Sequence, residues 1–460
     1  MTPNLPHEAR AVSAPGKVFL AGGYLVLDRA YSALVFGLDA RIHVEIEPIR
    51  TKSGVTLSEV IVKSPQFRGA AWEYGYRLAE ADGGIAVTQL TASHDSSLNR
   101  NPFIETALTY ALSYISTLLP NTPIAPSSVS ILADQPYYSN PGKASSPNSR
   151  FLNFDVTLSG AHKTGLGSSA ALVTSFTAAV LSYYLPKEKF DLQNEDSLRV
   201  LHNLSQASHC AAQGKVGSGF DIASAVYGSC LYRRFSPSLL SGMPEPGAPD
   251  FARRLHSLVE GGQWDTEIKK AAVKMPKGLR LVMCDVDCGS ETPGMVKKVL
   301  KWREENKEEA DRIWNALQSG NEGLAAELTR LATEDGAGSE RFAKLKDIIA
   351  ENRRLIRQMS VASRVPIEPP QQTALLDACS NVPGVVGGVV PGAGGYDAIV
   401  LLVEDKEDTL IGLKKLLGEW KVEADAEDGV TIGKVGILGV REDMIGVRKE
   451  DPAIYQEWIA

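Results

Sequence analysis

The 460-residue chain has little of what would tie it to several large functional classes. It has no excess of positive charge, because 48 Lys and Arg stand against 55 Asp and Glu, a formal net charge of −7. A general nucleic-acid binder shows a basic face, so the overall balance argues against that class while allowing a local positive pocket. Cysteine is scarce. Cys210, Cys230, Cys284, Cys288 and Cys379 are odd in number and match no zinc spacing, which predicts reduced, mostly buried thiols. No segment reaches the roughly 20 apolar residues that span a bilayer. Residues 170–185 come nearest, but they are too short and carry Ser and Thr. The first residues, MTPNLPHEARAVS, lack the apolar centre of a secretion signal, and no solenoid-period repeat is present. These absences predict a soluble cytoplasmic protein with neither nucleic acid nor membrane as partner. Oligomeric state stays open.

With 43% hydrophobic residues, the chain can build two or three sizeable cores. Strict alternation in Arg41–Glu47 predicts a half-buried strand. Residues 12–27 read as strand, Pro-Gly turn, strand. Residues 120–150, rich in Pro, Ser and Asn, predict a long loop, and 236–250 predicts a linker or insertion. Helical spacing marks 193–213, 294–317, 323–332 and 339–361. Strands are expected at 278–287 and on either side of a glycine turn within 385–403. This mixed order indicates an α+β fold rather than a regular βαβ series.

The stretch HKTGLGSSAALVT (162–174) carries the first chemical signal. An alternating segment, 151–159, predicts a strand before it, and a helix follows. A helix start leaves unpaired N–H groups and a partial positive charge that suit an anion. Gly165 and Gly167 allow close backbone approach, and Ser168 and Ser169 can cap the helix. Alone, the stretch fits a phosphate cradle or a plain capped helix equally well. The Walker pattern fails because Leu166 follows Gly165, and the protein-kinase motifs are absent. A dinucleotide fingerprint needs a second strand ending in an acid about 20 residues on, and SYYLPKEKFDLQNEDS does not provide one.

Four separated elements then point one way: SAPGKVFLAGGYLVL, KTGLGSSAALV, GKVGSGFDIASAVYGS and GAGGYDAIVLLV. In this order, over residues 11 to 455, the chain resembles the GHMP small-molecule kinase superfamily, and within it the branch acting on phosphomevalonate. The resemblance implies a two-domain α+β fold. An N-terminal domain with a left-handed βαβ unit would span 11–235, a linker or insertion 236–276, and a ferredoxin-like domain 277–457. The implied reaction passes a phosphoryl group from ATP with Mg²⁺ to the 5-phosphate of phosphomevalonate, in isoprenoid and sterol synthesis. The alternatives are a superfamily kinase acting on an alcohol such as mevalonate or a sugar, or a non-catalytic sensor of the same ligands.

Roles follow from the same resemblance. Lys17 and Asp221 are the implied catalytic pair, and both also face the acceptor. Lys163, Thr164, Gly165, Leu166, Gly167, Ser168, Ser169 and Ala170 line the nucleotide, with Ser169 on the metal. Ser218, Ser290, Thr292 and Gly394 are implied acceptor contacts. Lys143, Arg150, Lys215 and Arg364 are unranked candidates for gripping the acceptor's phosphate. Two departures stand out. Where mevalonate kinases place a glutamate metal ligand, this chain has His209 or Cys210. Where they show Gly-Glu-His, it has AGGYLVL. Hard Mg²⁺ prefers oxygen, which leaves the second protein ligand open. Losing two polar side chains near the acceptor favours a phosphorylated substrate.

Overall fold

The computed structural model describes residues 8–49, 57–90, 100–139, 150–286, 294–334, 339–421 and 434–459. The chain opens with strands β1 (Arg10–Ala21), β2 (Ala33–Pro48), β3 (Glu59–Lys63), β4 (Ala71–Leu78) and β5 (Ile85–Gln89). Helix α1 (Pro102–Leu118), β6 (Ser127–Ala133) and the short pair β7 (Tyr138–Ser139) and β8 (His162–Lys163) follow. Next come α2 (Ser168–Tyr184), α3 (Glu195–Gln213), α4 (Phe220–Tyr227), β9 (Cys230–Arg233), α5 (Phe251–Glu260) and β10 (Glu267–Lys269). The second half contains β11 (Leu279–Val286), α6 (Met295–Glu305), α7 (Lys307–Thr333), α8 (Ala343–Ser363), α9 (Pro370–Ser380), β12 (Val385–Val389), β13 (Ala398–Glu404) and α10 (Glu407–Glu419). It ends with β14 (Val435–Ile437), β15 (Glu442–Asp443), β16 (Arg448–Glu450) and α11 (Gln456–Ile459).

The first sheet runs β10-β9-β2-β6-β3-β4-β5, with β1 and β15 also on β2 and β16 on β1. A second sheet, β12-β13-β11-β14, is antiparallel throughout. Strand β2 alternates at its centre as the sequence predicts, yet Ala33–Leu38 and Ala40–Ile46 are all buried, because helices cover one face and neighbouring elements the other. Helix α2 is buried nearly all round. Its small residues, Ala170, Ala171, Ser175, Ala178 and Ala179, let α1, α3, α4, β1 and β2 approach closely. It forms the spine of the N-terminal half and carries the glycine loop on its first turn.

Several sequence expectations are corrected here. Residues 127–133, inside the expected loop, form β6, because Val129, Ile131 and Ala133 supply a buried face between β2 and β3. Residues 151–159 are not a strand. Phe151 and Phe154 are buried anchors, and the chain turns at Asp155, which has φ +60°. Pro15-Gly16 is not a turn between two strands but lies within β1, at a break in register where β2 carries the extra residues between Gly37 and Arg41. The helices expected at 294–317 and 323–332 regroup as α6 and one long α7. Residues 236–276 carry α5, packed on α1 and α3, and β10, paired with β9.

Candidate active site

The register shift between β1 and β2 places the first functional side chain. Three residues of β2, Leu38 to Ala40, stand opposite Gly16 alone, and the residue that follows this break on β1 is Lys17. Its backbone N–H donates to Leu166 O at 2.9 Å, and its Nζ donates to Gly165 O at 3.0 Å. Strand and glycine loop are thus stitched together. Gly16 permits this approach, since a Cβ there would stand 2.9 Å from Leu166 O. The loop is anchored from below by the Leu166 side chain, which is fully buried and contributes roughly 2 kcal/mol. Thr164 holds its other edge, its Oγ1 donating to Pro136 O at 2.6 Å and its N–H to Tyr137 O at 3.1 Å.

Gly167 is the N-cap of α2, with φ +81°, and no side chain caps the helix. A side chain there would be strained by the left-handed backbone, and its Cβ would lie 2.9 Å from Lys17 Cε. The first turn of α2 contains no acid. The start of α2 therefore presents N–H groups and a partial positive charge beside an ammonium. Burial pushes the Lys17 ammonium below its ordinary value, and the Asp221 carboxylate pulls it back.

Asp221 lies in the first turn of α4, which also starts on a left-handed glycine, Gly219. The loop before it is pinned. Arg234 Nη2 donates to Val216 O and Gly217 O at 3.3 and 2.8 Å, and Tyr232 Oη donates to Ser218 O at 2.8 Å. Phe220 lies against Phe19 with the rings tilted by 38° and their centroids 3.9 Å apart, and Lys17 Nζ sits 5.8 Å from the Phe220 ring centre. His209 on α3 joins the two helix starts. Its Nε2 is 3.2 Å from Ser169 Oγ, 3.2 Å from Gln213 Nε2 and 4.0 Å from Asp221 Oδ2. Burial lowers the His209 pKa and Asp221 opposes that. Cys210 is turned away toward the Gln206 side chain.

A cavity of about 220 Å³ adjoins the loop, reached past Lys163, Ser168 and Ser169 and walled by Trp72, Phe103 and Tyr138. Among the described residues no cluster of three or more His, Cys, Asp or Glu could hold an ion alone. A cation here would need ligands from a bound molecule. The Ser169 hydroxyl and the Asp221 carboxylate, two oxygen donors near one imidazole nitrogen, fit a Mg²⁺ carried on phosphates, which keeps several such outside ligands.

The structure brings together Lys17, Lys163–Ala170, Ser218 and Asp221. Gly394 belongs to a turn that packs on the end of β1, where Tyr24 Oη donates to Ala393 O at 2.7 Å and Gly395 N–H donates to Ile367 O. Ser290, Thr292 and Lys143 lie outside the described residues. Arg150 is committed to Asp134, with Nε–Oδ1 2.6 Å, and Arg364 ends α8 beside an open groove of prolines. Lys215 is exposed on the loop before Asp221. Sequence reading did not find the two clamps, Tyr232 and Arg234, or the cavity walls. They act through backbone carbonyls or by shape, and leave no motif.

Residues 147–229 match the GHMP kinases N terminal domain, and residues 335–411 the GHMP kinases C terminal domain. Phosphomevalonate kinase of Gibberella zeae is 53% identical over 99% of this chain and 100% of its own, and that of Aspergillus fumigatus 47% over 99% of each. Streptococcus pneumoniae phosphomevalonate kinase, solved in complex with phosphomevalonate and AMPPNP, shares the fold at a TM-score of 0.57 and 17% identity, covering 93% of this chain and 99% of that one. No helix among the described residues is long and apolar enough to cross a membrane. By its full-length identity to curated members and its two GHMP domains, the chain belongs to the phosphomevalonate kinase family.

Proposed function

We propose that the chain transfers the γ-phosphoryl group of ATP to the 5-phosphate of phosphomevalonate, yielding ADP and 5-diphosphomevalonate. One observation carries this reading: the Lys17 ammonium rests on the Gly165 carbonyl, beside a helix start that has neither cap nor acid. The triphosphate takes the α2 amides and the cavity at Trp72 and Phe103 takes the base, with Lys163 at the rim. Ser169 and Asp221 are the oxygen donors that would meet a nucleotide-borne Mg²⁺, which supplies charge neutralisation on the phosphates when bound.

The acceptor's phosphate has a second pKa near 6 and is mostly dianionic at neutral pH. An acceptor oxygen bonds to the γ-phosphorus as the bond to the β–γ bridging oxygen breaks, and no strong base is required. Bringing two polyanions together is the harder task, and positioning with charge stabilisation meets it. Lys17 faces the transferring group, while Asp221 holds Lys17 and the acceptor in place, with Ser218, Ser290, Thr292 and Gly394 completing the acceptor side. A domain division at 11–235, 236–276 and 277–457 is proposed on the same footing, the middle stretch riding on the first through α5 and β10. A cytoplasmic location is proposed as well, supported by four free, buried cysteines among the described residues; cell fractionation tests it. Coupled ADP-release assays across phosphomevalonate, mevalonate and sugars test the activity. Turnover is expected with phosphomevalonate alone, and turnover only with an unphosphorylated alcohol would reject the assignment.

A further inference from the structure

A serine hydroxyl has one proton and two lone pairs. To face a cation it must turn its lone pairs outward and send its proton elsewhere. At Ser169 the structure supplies the destination. His209 Nε2 stands 3.2 Å from Ser169 Oγ, on an imidazole only 2% exposed. The ring is flanked by Phe103, centroids 5.6 Å apart, so it is not free to turn away. Gln213 brings its amide nitrogen to the same Nε2 at 3.2 Å. An amide N–H can only donate, so Nε2 is the acceptor here, its single lone pair shared between the amide and the hydroxyl, and the ring proton sits on Nδ1.

The location is as telling as the contact. Helices α2 and α4 both start on glycines that offer no capping side chain, so nothing at their own ends fixes one relative to the other. His209 belongs to α3, which packs on both. Its Nε2 lies 4.0 Å from Asp221 Oδ2, beyond hydrogen-bond reach, so the carboxylate remains available to other groups. We propose that His209 is a positioning residue: it accepts a hydrogen bond from the Ser169 hydroxyl, turning the serine lone pairs toward the phosphate-borne cation, and it sets the spacing between Ser169 and Asp221.

This inference rests on the reading that Ser169 faces that cation, and the test separates the two. A non-hydrolysable ATP analogue is titrated calorimetrically into the full chain with and without Mg²⁺, for wild type, Ser169→Ala, His209→Ala, His209→Gln and the double variant Ser169→Ala/His209→Ala. Thermal melts run alongside. His209→Ala is expected to shrink the Mg²⁺-dependent gain in affinity by about tenfold while metal-free binding stays unchanged. His209→Gln, whose amide oxygen reaches about where Nε2 stood, should restore most of the gain. The double variant should lose no more than Ser169→Ala does, because both act on one hydroxyl. If His209→Ala does not fold, His209→Met keeps the buried volume without a strong acceptor and carries the same readout. A full gain in His209→Ala, or a loss that adds entirely to that of Ser169→Ala, overturns the proposal alone. A wild type that gains nothing from Mg²⁺, or a Ser169→Ala variant that keeps the whole gain, overturns the underlying reading and the proposal with it.

Discussion

Helices α2 and α3 lie side by side and begin in opposite ways. The start of α3 is closed by its own sequence, with Asn194 Oδ1 accepting from Asp196 N–H at 2.8 Å and Ser197 N–H at 3.1 Å, and Glu195 and Asp196 complementing the dipole. The start of α2 has a left-handed glycine, no cap and no acid. A capped helix end has spent its amides on stability. An open one keeps them for a ligand and must find its stability elsewhere, which α2 does by burying 13 of its 17 residues.

This contrast can be broken experimentally. Lys17→Met should have the largest effect, a fall in turnover of about 10²–10³-fold in steady-state assays, without loss of thermal stability because a desolvated ammonium is removed. A turnover close to wild type would remove Lys17 from the site. Asp221→Ala should lower turnover about a hundredfold, far more than it lowers nucleotide affinity, with metal-free binding nearly intact, and unchanged turnover would exclude the carboxylate from the mechanism.

The next test lies within α3. His202 is fully buried near Trp264 and Tyr227, and burial pushes its pKa down to about 4. A histidine depressed in the folded state adds stability that is complete above its unfolded value near 6.5 and is lost as the pH falls toward 4. His202→Leu should therefore flatten the acid-side stability loss by about 2 kcal/mol at pH 5 relative to pH 8, read by denaturant unfolding at both pH values. An unchanged slope would show that His202 is not the buried neutral group described. The smallest effects form a matched pair. Gly167→Ala should weaken nucleotide binding roughly tenfold through backbone strain and crowding of Lys17, whereas Asn194→Ala should cost about 1 kcal/mol of stability with kinetics untouched. If Asn194→Ala altered the kinetics instead, the contrast between the two helix starts would fail.

Much of the candidate site was legible because the residues proposed for it sit in contiguous stretches. The glycine loop, Lys17 and Asp221 each lie in a motif, and helical spacing located α2 and α3. What escaped was set by distant partners. The composition of 120–150 says loop, but Val129 and Ile131 find a buried face only once β2 and β3 lie beside them. Alternation in 151–159 came from two aromatic anchors rather than a pleat. Pro15-Gly16 has the signature of a turn, and only pairing with β2 on both sides of it keeps it within one strand. The departure at His209 was visible as an odd residue in a register. Its meaning required the fold, since Ser169 lies 40 positions away.

Strands β15 and β16 close the first sheet from the far end of the chain, and Tyr455 reaches His43 beside them. Translation must therefore run past residue 450 before β1 gains its outer neighbour. Until then the edge that later meets Arg448–Glu450 is bare, and nascent molecules stalled short of residue 442 should be the ones that chaperones hold.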